Sequence, residues 1–81
     1  MDVLYFAWVR ERIGHPKDKL ETGAATVRDL VEELRGLEER YEAAFADLDA
    51  LRVAVDQELT DFDAPLAGAR EVAFFPPMTG G

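Results

Sequence analysis

Val3-Leu4-Tyr5-Phe6-Ala7-Trp8-Val9 is apolar at both parities and rich in strand-forming side chains. A strand with one face in water would alternate, so this run predicts a central strand contacted on both faces. Working outward, Gly14-His15-Pro16 punctuates a turn, and the polar stretch Lys17 to Glu21 predicts a short edge strand. Near the far end, Val72 to Phe75 is a second compact apolar run, stopped by Pro76 and Pro77, and it too asks for a central place.

The segments between supply the other layer. Thr26 to Gly36 predicts the main helix: Thr26 is a fitting N-cap with Asp29 three positions on, and Val27, Leu30, Val31 and Leu34 form one apolar stripe. Gly36 suits a left-handed stop. A shorter helix follows, with Leu37, Tyr41, Ala44, Phe45 and Leu48 on one side. Leu51, Val53 and Val55 alternate with Arg52, Ala54 and Asp56, which predicts a half-buried strand; Asp56 to Glu58 turns, Leu59 to Phe62 returns, and Asp63 to Arg70 connects. One main helix, a short second helix and a mixed sheet whose first and last strands are central make an α+β, β-grasp (ubiquitin-like) fold. A ferredoxin-like order needs a second full helix after Leu51, and none is written there. Residues 1–75 read as one domain, and 76–81 as an extended, flexible tail.

Composition narrows the function. With 81 residues the chain can build one modest core, burying about 60–65% of its unfolded surface. Large catalytic clefts ask for more scaffold, so chemistry is expected to be shared with a partner. Nine basic against seventeen acidic residues give a net charge of −8, which repels nucleic acid and anionic membranes and suits solubility or steering toward a basic partner. The absence of cysteine excludes disulfides, thiolate metal sites and cysteine nucleophiles. No apolar stretch has membrane-spanning length and no signal peptide is visible, so a cytoplasmic location is expected.

The tail Pro76-Pro77-Met78-Thr79-Gly80-Gly81 carries the candidate chemistry. Two prolines after a strand enforce a stiff, extended departure. An enzyme that activates a terminal carboxylate must close around it, and Gly80 and Gly81 present no Cβ to that channel. The carboxylate is ionised at neutral pH and a poor electrophile. Adenylation by ATP would supply a good leaving group, and sulfide replacing AMP would leave a thiocarboxylate, a sulfur carrier that needs no cysteine.

Four stretches resemble the small, sulfur-carrier subunit of molybdopterin synthase: Val3 to Glu11, Thr26 to Leu30, Val53 to Gln57, and above all Glu71-Val-Ala-Phe-Phe-Pro-Pro-Met-Thr-Gly-Gly81. The chain departs from the family pattern at Trp8, at Asp56, where asparagine is usual, and at Gly68-Ala69-Arg70. The resemblance implies that Gly81 is the reacting residue, with Gly80 and Thr79 positioning the tail. A ubiquitin-activating-type adenylyltransferase would spend ATP on Gly81, and a sulfur donor protein would supply sulfur. The tail would then enter the large synthase subunit, in an expected heterotetramer, and donate sulfur to cyclic pyranopterin monophosphate. On this view the chain is the sulfur-donating subunit of a heteromeric sulfurtransferase whose catalytic pocket lies in the large subunit, and it holds no stable cofactor. The same chemistry could serve thiazole, cysteine or tRNA thiolation, the chain could be a ubiquitin-like modifier of lysines, or it could be a binding module with incidental glycines.

Parity predicts where partners dock. If Val3, Tyr5, Ala7 and Val9 face the helix, then Leu4, Phe6 and Trp8 point the other way; Val72 and Phe74 likewise face the core and Phe75 does not. Leu59 joins the outer patch. Phe6, Leu59, Phe75, Pro76, Pro77 and Met78 are therefore the candidate partner-binding residues. His15 in its turn has no suitably spaced second ligand, so no metal site is expected. Arg10 and Arg12 read as surface charge, and Glu32, Glu33, Glu38 and Glu39 as the solvated faces of helices.

Overall fold

The computed structural model describes residues 1–77. In chain order it contains β1 (Asp2–Tyr5), α1 (Ala7–Ile13), β2 (Lys17–Lys19), α2 (Val27–Arg35), α3 (Glu39–Ala44), a 3-10 turn (Leu48–Ala50), β3 (Arg52–Val55), β4 (Glu58–Thr60) and β5 (Glu71–Phe75). The sheet order is β2-β1-β5-β3-β4. β1 and β5 are parallel neighbours, and the other pairings are antiparallel. The first and last strands are thus interior, and the polar β2 forms an edge, as the residue pattern predicts.

The first apolar run departs from expectation. Val3 to Val9 is not a single strand: β1 ends at Tyr5, and Ala7 begins a helix. Ala7 sits at φ 52°, so the chain turns sharply after Phe6 and leaves the sheet. Val9 and Ile13, four residues apart, are fully buried on one face of α1 while Arg10, Glu11 and Arg12 stay exposed. Gly14, at φ 100°, ends α1 in the left-handed region, its N–H donating to the Arg10 carbonyl at 2.7 Å.

α2 matches its prediction in content: Thr26 Oγ1 accepts from the Asp29 N–H at 3.2 Å, and Val27, Leu30, Val31 and Leu34 are fully buried. Its stop differs. Gly36 stays right-handed at φ −80°, and its N–H on the Glu32 and Glu33 carbonyls carries the helical bonding pattern on through it. In α3 Tyr41 and Ala44 are buried, as is Phe45 just after it, whereas Leu37 is 51% exposed and takes no part in the core.

The core lies between the helices and one sheet face. Phe74 from β5 meets Phe45 edge-on at 4.9 Å and stacks on Phe62 at 6.5 Å. Val3, Tyr5, Val53, Val72 and Phe74 all point inward. Among the described residues no helix is long and apolar enough to cross a membrane.

Two polar devices fix the sheet. At the β3–β4 turn, Asp56 (φ 49°) and Gln57 (φ 71°) take the left-handed pair that a tight hairpin needs. Asp56 Oδ1 accepts from the N–H groups of Arg70 and Glu71 at 2.9 and 3.0 Å, tying the turn to the start of β5. At the opposite edge, Asp18 Oδ2 accepts from the hydroxyls of Tyr5 (2.8 Å) and Tyr41 (2.7 Å), and His15 Nε2 lies 2.8 Å from Oδ1. Partial burial alone would raise the Asp18 pKa, but the bonds from Tyr41, His15 and Tyr5 outweigh it and hold the carboxyl below its usual range. Burial, then the bond to Asp18, pushes Tyr41 up to about 12, and the same causes raise Tyr5 further.

Asp56→Ala removes both bonds and places alanine in a left-handed site. It should lower unfolding free energy by about 1–3 kcal/mol in urea titrations. The lowered Asp18 carboxyl contributes stability in full above its unfolded value of about 3.9, and loses it as pH falls through the folded value. Asp18→Asn should therefore be less stable at neutral pH and show a flatter acid limb in urea midpoints measured from neutral pH downward. The raised Tyr41 hydroxyl contributes below about 10 and loses that contribution as pH rises through about 12. Tyr41→Phe should flatten the alkaline limb.

Candidate functional site: the outer sheet face and the root of the tail

The helices cover one face of the sheet, and strand parity assigns the other. Leu4, Ala73, Ala54 and Leu59 are paired in register on β1, β5, β3 and β4, which makes one apolar row across the outer face. One step toward the C-terminal end of β5, Phe75 pairs with Arg52. Phe6, whose N–H donates to the Phe74 carbonyl at 3.1 Å, closes that end of β1. Leu59 is 72% exposed and Phe6 47%, while Leu4, Ala54, Ala73 and Phe75 are half-buried. Scattered apolar residues would mean little, but this row is contiguous and crosses β5 two residues before Phe75.

The position of Phe75 follows from β5 itself. Phe74 is fully buried against Phe45 and Phe62, so the next side chain must point outward. Pro76 and Pro77 follow, half-buried and outside regular structure. Met78, Thr79, Gly80 and Gly81 lie outside the described residues, so the structure places the root of the predicted reactive tail and not its tip.

The structure thus puts Phe6, Phe75, Pro76 and Pro77 at one end of the sheet, and Leu59 apart from them on edge strand β4, in the row of Ala73. It separates Trp8 from them. That ring belongs to α1, packs partly against the core, and carries the Arg12 guanidinium 5.1 Å above it. Ala7 and Val9 are likewise helical, so parity along the first run holds only as far as Phe6. Residue-level reasoning missed Ala54, Ala73 and Arg52 as parts of the face. Their parity is visible in the sequence, but their alignment with Leu4, Leu59 and Phe75 is set by inter-strand register.

Arg52 is the charge in register with the tail root. Its guanidinium donates to the Asp49 and Leu51 carbonyls at 3.2 and 2.8 Å. No histidine or carboxylate stands opposite Phe75 in the ladder, so this end of the sheet offers a cation and apolar surface rather than an acid–base pair. Two depressions of about 330 and 250 Å³ flank β4, and neither is lined by a nucleophile with a histidine base. Among the described residues no group of three or more His, Asp or Glu side chains could hold a metal ion. The arrangement suits presentation of a segment to another protein.

Known proteins share the whole of this architecture. The chain is 42% identical over 79 residues to the molybdopterin synthase sulfur carrier subunit of Escherichia coli, an alignment covering 98% of this chain and 96% of that one. It is 36% identical over 81 residues to the protein of the same name from Haemophilus influenzae, covering 100% and 99%. The crystal structure of SAMP1 from Haloferax volcanii superposes with a TM-score of 0.78 at 30% identity, covering 100% of this chain and 98% of that one. A model of the ThiS family matches residues 3–81, from the first residues of β1 through the two terminal glycines, and this β-grasp chain belongs to the ThiS family.

Proposed function

We propose that this chain is the sulfur-carrier subunit of a molybdopterin synthase and that its reacting group is the carboxyl of Gly81. One observation carries the reading: the apolar row Leu4-Ala73-Ala54-Leu59 on the outer sheet face crosses the strand from which Pro76-Pro77-Met78-Thr79-Gly80-Gly81 departs. A partner that covers that face receives the tail at the same time. The two named relatives, matched over almost their full lengths, support the assignment.

In this cycle an adenylyltransferase binds the outer face in the cytoplasm, and the Gly81 carboxylate attacks the α-phosphorus of ATP, releasing pyrophosphate. Sulfide delivered by a donor protein attacks the acyl carbon, the bond from that carbon to the phosphate oxygen breaks, and AMP leaves, so the terminus becomes the thiocarboxylate. The carrier then docks by the same end of the sheet on a large subunit, in a heterotetramer, and gives its sulfur to cyclic pyranopterin monophosphate. This chain's own contributions are positional. Phe74 anchors the root, Phe75, Phe6 and Leu59 supply docking surface, Pro76 and Pro77 stiffen the departure, and Thr79 and Gly80 thread the tail. Acid–base groups come from the partners.

Reconstitution with an activating enzyme, ATP and a sulfide source should yield a species heavier than the acid by the difference between sulfur and oxygen. A chain lacking Gly80 and Gly81, or extended beyond Gly81, should yield none and should form no dithiolene with the large subunit and pterin precursor. Full activity of the shortened chain would end the proposal. Phe75→Ala and Phe6→Asp should each weaken large-subunit binding in calorimetry by about tenfold or more while leaving the circular dichroism spectrum unchanged. Unchanged affinity in both would remove the outer face from the interface.

A further inference from the structure

In a chain with seventeen acidic residues a cation has many carboxylates to choose from, and Lys17, Arg28, Arg35 and Arg40 each pair with one. Among the described residues Arg10, Arg12, Lys19, Arg52 and Arg70 form no ion pair. Lys19 and Arg70 stand at the end of the sheet where β1 and β5 begin. Arg52 is already held on the Asp49 and Leu51 carbonyls. That leaves Arg10 and Arg12, both exposed on α1.

α1 stands at the end of the sheet where the tail begins. Phe6, just before it, donates its N–H to the Phe74 carbonyl, and the Pro16 carbonyl, just after it, accepts from the Tyr5 N–H at 2.9 Å. Entry and exit of the helix therefore lie beside the last residues of β1. Because β1 and β5 run parallel, this is also the end that carries Phe75, Pro76 and Pro77. Val9 and Ile13 face the core, and the helix touches β5 as well as β1 and α3.

Arg12 is set apart by what holds it. Its guanidinium lies 5.1 Å from the centre of the Trp8 ring, four residues earlier on the helix. That ring is half-buried and packs partly against the core, so it is a fixed platform. Attraction to the ring engages the flat face of the guanidinium and leaves its edge N–H groups available. Among the described residues arginine side chains donate hydrogen bonds from Arg28, Arg35 and Arg52, and Arg12 spends none of its donors. It is thus pre-positioned for a bidentate bond to a carboxylate, with little side-chain freedom left to lose.

We propose that the Trp8–Arg12 pair, with Arg10 on the same helix, is a specificity contact for the large synthase subunit, taking a carboxylate-bearing patch of that protein beside the point where Pro76 and Pro77 arrive. The proposal rests on the carrier reading above and extends the docking surface from the outer sheet face onto α1. A uniformly charged polyanion is repelled by this acidic chain, whereas a localised acidic patch can meet the arginines alone. A charge pair desolvated at an interface acts mainly by slowing dissociation. That suits a subunit held in an assembly better than an activating enzyme that must release its product. Trp8 is a position where the chain departs from the family pattern, so the platform belongs to this chain and tunes it to its own partner.

The test is the affinity of the full chain for the large subunit, by calorimetry at low and at physiological salt. Arg12→Glu should weaken binding about tenfold or more at low salt, and the loss should shrink as salt is raised. Arg35→Glu makes the same change of charge at a cation already paired with Glu32 and Glu42, and should weaken binding by about twofold at most. Trp8→Gln keeps both arginines and removes the platform, and should weaken binding by about threefold or more. Replacing the facing carboxylate of the large subunit by arginine, found by scanning its acidic residues, should restore binding of Arg12→Glu. Equal losses for Arg12→Glu and Arg35→Glu, a loss that salt leaves untouched, or no rescue at any acidic position would overturn the contact. So would a loss seen only with the activating enzyme. The unaltered chain is treated in parallel with activating enzyme, ATP and sulfide. Thiocarboxylate there, with normal binding of Arg12→Glu, removes the α1 contact and keeps the carrier, whereas failure to form any thiocarboxylate removes the carrier reading.

Discussion

β5 lies between β1 and β3, and its alternation decides what each face of the molecule is for. Val72 and Phe74 enter the core, where each fully buried side chain is worth about 1.5–3 kcal/mol relative to exposure. The same pleat turns Ala73 and Phe75 outward. Slipping the strand by one residue would bury Phe75 and expel Phe74 from between Phe45 and Phe62, so the register is strongly specified. The chain end is thereby anchored at a fixed point on the sheet. The anchoring free energy is drawn from the core, so the tail itself need not pack against its own domain.

Most of this architecture is legible in the residues because local pattern and tertiary demand agree. The apolar stripe of α2, its Thr26 cap, the polar edge strand at Lys17 and the buried Val72–Phe74 pair all carry their signal in the correct period. The first apolar run is where they disagree. Tyr5, Phe6, Trp8 and Val9 are all good strand formers, and only Val9 with Ile13, four apart across Arg10-Glu11-Arg12, reveals helical spacing. A short apolar run cannot settle that choice by period alone. The break falls at Ala7, whose positive φ no residue preference announces. Gly36 misleads in the other direction, since a glycine after a helix invites a reversal that the following segment does not use.

The outer sheet face is legible in kind and incomplete in membership. Phe6, Leu59 and Phe75 stand out as large apolar residues with outward parity, whereas Ala54 and Ala73 gain significance only from the partners set beside them. Charge shows the same division. The acidic excess is plain in composition, but Asp18 and Asp56 stand out because each accepts two or more hydrogen bonds from residues remote in the chain. One secures β2 to β1 and α3, and the other secures the β3–β4 turn to β5. Both edges of a five-stranded sheet are thus fastened by a single carboxylate apiece, which helps a small domain with a modest core resist fraying.

The parallel pairing of β1 and β5 also has a mechanical side. A pull on the chain beyond Phe75 would be transmitted along the axis of β5, which is bonded on both flanks. Force along a strand loads the ladders on either side in shear, so many hydrogen bonds resist together, whereas a pull across an edge would peel them one after another. The globule is thereby built to withstand tension applied at its own terminus.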